Sequence, residues 1–127
     1  MCTLSVYSGD DHTIVTMNRD EARNRAETNE IKQHKLSGID TFYPVDQRSG
    51  GTWFGFNSHG VVYALLNRYH EQHHQQAVSR GLIIPQLLKH CSLAQSVRHL
   101  TDILQQPHNP FDLVCIDHQH IINHCWD

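Results

Sequence analysis

Residues 52–66, TWFGFNSHGVVYALL, decide the fold. Residues 52–57 (TWFGFN) and 60–66 (GVVYALL) are aromatic and β-branched runs, and Asn57-Ser58-His59-Gly60 supplies a turn between them. That pattern is a hairpin, so antiparallel pairing organises the chain. Toward the N-terminus, residues 2–8 (CTLSVYS) and 12–18 (HTIVTMN) form another hairpin around Gly9-Asp10-Asp11. Residues 20–27 (DEARNRAE) have helical propensity without an apolar face, which predicts a short exposed helix. Residues 28–50 read as a polar ordered loop with one short strand near Thr41-Phe42-Tyr43, ended by Pro44. Toward the C-terminus, residues 68–77 (RYHEQHHQQA) are a polar loop or frayed helix start. Leu82, Ile83, Leu87 and Leu88 then lie at helical spacing, with Pro85 either in the first turn or at a kink. Ser92 caps a second helix, 93–105, whose apolar stripe is Leu93, Val97, Leu100, Ile103 and Leu104. Residues 111–117 and 120–126 form a last strand pair. Hairpins around one block of helices predict an α+β fold with antiparallel sheets. There is no βαβ alternation, GxGxxG or glycine-rich phosphate loop.

The 127 residues make one domain, 1–127, with enough chain for one core. At 39% hydrophobic and 18% charged, the composition is globular rather than disordered. The net charge of −3 argues against a nucleic-acid groove binder, which would be basic. Twelve histidines would move that charge from −3 to +9 if all were protonated, so the surface is pH-sensitive between about 5 and 7. No apolar run reaches the roughly 18 residues of a membrane span. The N-terminus has neither a basic n-region nor an apolar h-region, so a cytoplasmic location is expected. Cys2, Cys91, Cys115 and Cys125 form no CxxC pair and read as free thiols.

Cys2 carries the chemistry. Removal of Met1, which a small second residue favours, would expose an α-amine on the same residue as a thiol. Unperturbed, their pKa values lie near 7.7–8.0 and 8.5, so the amine can take the thiol proton close to neutrality. One residue then supplies nucleophile and base for attack on an acyl carbonyl, given an oxyanion site. The first hairpin returns Asn18, Arg19 and Asp20 beside Cys2. There an aspartate can orient the amine and an arginine can favour the thiolate.

Met1-Cys2-Thr3-Leu4, Asn18-Arg19-Asp20-Glu21, Gly50-Gly51-Thr52-Trp53-Phe54-Gly55, Leu66-Asn67-Arg68 and Ser79-Arg80-Gly81 follow one another in an order that resembles the NRDE protein family, also called the transport and Golgi organisation protein 2 family. The resemblance covers roughly residues 1–117. It implies likeness to cysteine N-terminal-nucleophile (Ntn) hydrolases, with an αββα fold of two antiparallel sheets between helical layers, or a truncated half of it. By that resemblance Cys2 is the nucleophile, Asp20 holds its α-amine, and Arg19 acts near the thiolate or the substrate carbonyl. Asn67 is an oxyanion donor, while Asn18, Gly51, Thr52 and Trp53 line the substrate pocket. Arg19 and Asp20 are adjacent here, whereas two residues usually separate them in such hydrolases. Family members are typically longer, their later half completing the second sheet and the pocket. The chain is therefore expected to be a fragment or a short member, with exposed sheet edges that favour a homodimer.

The substrate class implied is a small amide or related acyl compound, and no cofactor is required. A second reading is a non-catalytic binding or trafficking protein for a hydrophobic ligand such as haem or an acyl group. A third is a His-rich metal binder, with His70, His73 and His74 as ligands. His118, His120 and His124 would share one strand face with a weaker claim to metal. Trp53, Phe54, Phe56, Tyr63 and Trp126 are expected in the core and pocket wall, and Arg80 and Gly81 at the start of the helical block.

Overall fold

A computed structural model describes residues 2–20, 24, 30–68 and 74–127. The strands are β1 (Thr3–Ser8), β2 (Thr13–Asn18), β3 (Lys32–Leu36), β4 (Ile39–Tyr43), β5 (Phe54–Asn57), β6 (Val62–Asn67), β7 (Phe111–Ile116) and β8 (Ile121–Trp126). One 3-10 turn (Arg80–Leu82) and two helices, α1 (Ile83–Leu88) and α2 (Leu93–Ile103), lie between β6 and β7. β1 and β2 make a two-stranded sheet, and β3 to β8 a six-stranded sheet in sequence order. Every pair of named strands is antiparallel, so the α+β expectation holds. Most of the helix expected over 20–27 and half of the segment 68–77 lie outside the described residues.

The polar loop expected over residues 28–50 is instead largely a hairpin, β3–β4. β3 (KQHKL) hides from a pattern reading because it is an edge strand, with Lys32, Gln33 and Lys35 exposed. Lysines on an edge strand block pairing with other chains. Ser37 (φ +52°) and Gly38 (φ +78°) both lie in the left-handed region, which is what a two-residue hairpin turn requires.

One face of the large sheet presents Tyr43, Tyr63, Leu65, Phe111, Leu113 and Cys115 to the buried Ile83, Ile84, Leu87 and Leu88 of α1 and Leu93, Leu100 and Ile103 of α2. Pro85 falls in the first turn of α1, where its missing N–H costs no helix bond. Ser92 caps α2 as expected, its Oγ accepting from the Gln95 N–H at 3.3 Å. The stripe of α2 is one position off: Val97 is 38% exposed and Ser96 is 1% exposed. Ser96 turns inward because it bonds a buried phenol. The Tyr63 hydroxyl donates to Ser96 Oγ, which donates to the Leu93 carbonyl at 2.8 Å. A buried Tyr hydroxyl needs such a partner, and burial raises its pKa.

The opposite face looks toward the β1–β2 hairpin. Grooves between them are lined by Val15 and Met17 on one side and by Phe54, Val62 and Ile116 on the other. Phe56, expected in the core, lies on this face, 36% exposed and stacked on its cross-strand partner Phe42 at 5.0 Å. Among the described residues no helix is long and apolar enough to cross a membrane.

At the α1–α2 corner, His90 Nε2 lies 2.8 Å from His99 Nδ1. Burial first, then His99 and Lys89, lower the pKa of His90. The folded form thus favours neutral imidazole. As pH falls below about 6.5 the unfolded chain binds the proton more readily, and stability is lost through that window. Thermal melts at pH 7.5 and 5.5 should show a fall in Tm that is smaller in His90→Gln. An equal fall in both proteins would rule His90 out as the cause.

Candidate active site

The register of the first hairpin places the site. Thr3 pairs with Asn18, so Cys2 and Arg19 extend the two strands one residue beyond the ladder, at its open end. Both line a cavity of about 200 Å³. Asn67, at the end of β6, lines it too, with Thr52 and Trp53 from the loop before β5. Five of the residues selected from sequence thus share one cavity. Asn18, Asp20 and Gly51 are not among the described residues that line it. Asn18 and Asp20 are exposed, and Gly51 is buried behind the wall.

Arg19 does not stand as a bare cation beside the thiol. Its Nη2 donates to Asp46 Oδ2 at 2.8 Å, and its guanidinium carbon lies 3.8 Å from the Trp53 ring centroid. Both partners of the ion pair are largely buried, with side chains 14% and 5% exposed. No motif in the sequence marks Asp46 as part of the site. Its other oxygen accepts from the backbone N–H groups of Arg48 (2.9 Å) and Ser49 (3.2 Å). The loop closes through Gly50 N–H to the Asp46 carbonyl (2.7 Å) and Asp46 N–H to the Gly51 carbonyl (2.8 Å). Asp-x-x-Ser-Gly is a legible turn signal, but the partner 27 residues away is not legible from spacing.

Two sequence motifs meet behind the cavity. The Thr52 N–H donates to the Gly81 carbonyl at 2.8 Å, and Gly51 packs against the Gly81 backbone. Arg80, which also lines the cavity, donates from Nη1 to the Pro110 carbonyl at 2.6 Å. The Val78 N–H donates to the Pro107 carbonyl and the Arg68 N–H to the Pro110 carbonyl, so residues 107–110 strap the 77–81 wall to the sheet. Asn109 completes that wall, its Oδ1 accepting from the His74 N–H at 2.7 Å.

The other thiols lie elsewhere. Burial of Cys115 pushes its pKa up to about 12, which leaves it an inert thiol. Cys91 and Cys125 are exposed, and a hydrogen bond to Asp112 raises the pKa of Cys125.

His70 and His73 lie outside the described residues, and His74 is exposed. The idea that His118, His120 and His124 share a strand face does not hold. His118 lies in the turn, His120 contacts Asp117 at 3.2 Å, and β8 begins only at Ile121. Among the described residues no group of three or more His, Cys, Asp or Glu side chains could hold a metal ion.

A family model described as Transport and Golgi organisation 2 matches residues 1–126. No curated protein and no solved structure matches the chain.

Proposed function

Because the chain belongs to the transport and Golgi organisation 2 family, we propose that it acts as an N-terminal-cysteine hydrolase-like protein, cleaving an amide or related acyl bond through Cys2. The observation that carries this reading is the gathering of Cys2, Arg19, Thr52, Trp53 and Asn67, from separate sequence motifs, around one cavity. In the proposed reaction Met1 has been removed and the Cys2 α-amine takes the thiol proton. The thiolate adds to the acyl carbon and the oxyanion is held by Asn67. The C–N bond breaks, the amine leaves with the proton, and water hydrolyses the thioester. Asp20 orients the α-amine in this scheme. In this reading the two sheets and the one helical layer correspond to three of the four layers of an αββα Ntn fold.

The cavity favours small substrates. About 200 Å³ is below the roughly 300–1,000 Å³ of sites for drug-sized ligands. Its lining includes two arginines, an aspartate and two asparagines. A short polar acyl group suits it better than haem or a long acyl chain.

Intact-mass analysis and an acylating electrophile test the reading together. Met1 should be absent from the mature protein, and the probe should label Cys2 while sparing Cys115. Asp20→Asn should slow labelling at pH 7, and an unchanged rate would remove Asp20 from the scheme. A retained Met1, or equal labelling of Cys2, Cys91 and Cys125, defeats the hydrolase reading.

A further inference from the structure

We propose that Asp46 is a positioning residue for this site, holding the Arg19 guanidinium over Trp53 and balancing its charge where it lines the Cys2 cavity. The proposal rests on the reading of Cys2 as the nucleophile. Three observations converge on Asp46. Its carboxylate is 5% exposed and 2.8 Å from Arg19 Nη2. Its second oxygen is fixed by the Arg48 and Ser49 N–H groups. The carbon of the guanidinium it holds lies over the Trp53 ring, 3.8 Å from its centroid. An ion pair taken out of water contributes little net stability compared with apolar residues of the same volume. Its value here is geometric: a planar fork gripped on one edge by a carboxylate and on one face by an indole has little freedom left.

The electrostatic consequence is testable. Arg19, Asp46 and Arg80 are the charged side chains that line the cavity with Cys2 among the described residues. Asp46 offsets much of the field that Arg19 would otherwise exert on the thiol. Asp46→Asn keeps an oxygen for the Arg48 and Ser49 N–H groups but removes the charge. The Arg19 guanidinium then loses the Asp46 charge that faces it and the grip that holds it in place. The pH midpoint of Cys2 alkylation should move down by about 0.5–1 unit, while acyl transfer falls by tenfold or more. A merely structural role would lower stability and acyl transfer together without moving that midpoint.

Arg19→Gln approaches from the other side. It leaves the Asp46 charge in the wall, so the midpoint should rise, and the double variant should return near the wild-type value. This arm decides the matter if Asp46→Asn does not fold. Alkylation is localised to Cys2 by peptide mass spectrometry. Unchanged midpoints in every variant that folds overturn the proposal. If the midpoints shift as stated but Cys2→Ala retains acyl transfer, the electrostatic coupling stands and the nucleophile reading fails.

Discussion

Gly51→Ala is expected to unfold the site. A Cβ built on Gly51 would lie 2.4 Å from the carbonyl carbon and oxygen of Gly81 and 2.7 Å from its Cα. All three are backbone atoms, so no side chain can swing away. Relief requires the 77–81 wall to move, which breaks the 2.8 Å bond from the buried Thr52 N–H to the Gly81 carbonyl. Overpacking typically costs 1–3 kcal/mol, and the lost buried hydrogen bond adds about 1–3 kcal/mol. A destabilisation of about 3 kcal/mol or more follows. The neighbouring Gly50 is the control. It has φ +73° and open space around its would-be Cβ, so Gly50→Ala pays only the left-handed backbone penalty of about 1–2 kcal/mol. Urea titration should rank Gly51→Ala well below Gly50→Ala. Cys2 labelling in Gly51→Ala should lose its preference over the exposed Cys91. Equal stability of the two variants would show that the Gly51–Gly81 contact relaxes freely.

Asn57→Ala is expected to be the most damaging single polar substitution. Asn57 is 3% exposed and its side chain makes four hydrogen bonds. Its Nδ2 donates to the carbonyl of Leu88 (2.9 Å), the last residue of α1, and to that of His90 (3.0 Å) just beyond the helix end. Its Oδ1 accepts from the N–H groups of His59 (3.0 Å) and Val61 (3.3 Å) in the β5–β6 turn. One amide therefore ties the central hairpin to the helical layer. Each buried group left without a partner costs about 1–3 kcal/mol, so the total is several kcal/mol. For a chain of this size that is a fall in Tm of roughly 10–20 °C. Asn57→Asp should be no better, because it sets a carboxylate against two carbonyls. A loss below about 1 kcal/mol in Asn57→Ala would mean that water replaces the amide at no cost.

Most element boundaries were legible, and the misses have physical reasons. Hairpins announce themselves through alternating apolar runs around turn residues, and Ser92 announces a helix start because its cap is local. β3 does not show in the apolar pattern because an edge strand needs few apolar residues, although Ser37-Gly38 carries a turn signal. Val97 and Ser96 exchanged places because a buried Tyr63 hydroxyl outweighed one more apolar contact at the helix surface. Aromatic character alone points Phe56 inward, but the strand face it shares with Phe42 sets it on the side away from the helices. Of the candidate site, the sequence pointed to Cys2, Arg19, Thr52, Trp53 and Asn67 but was silent on Asp46, Ser49 and Asn109.

By itself the sequence determined the antiparallel α+β character, the two helices, and the family to which its ordered motifs belong. Those properties rest on short-range periodicity, turn chemistry and motif order, all readable along the chain. Only the tertiary structure decided that Arg19 pairs with Asp46, that Gly51 meets Gly81, and that Asn57 caps α1 from 31 residues away. Such contacts depend on how the sheet packs beneath the helices. A side chain's partner across the fold is chosen by burial and distance in space, which spacing along the chain does not encode.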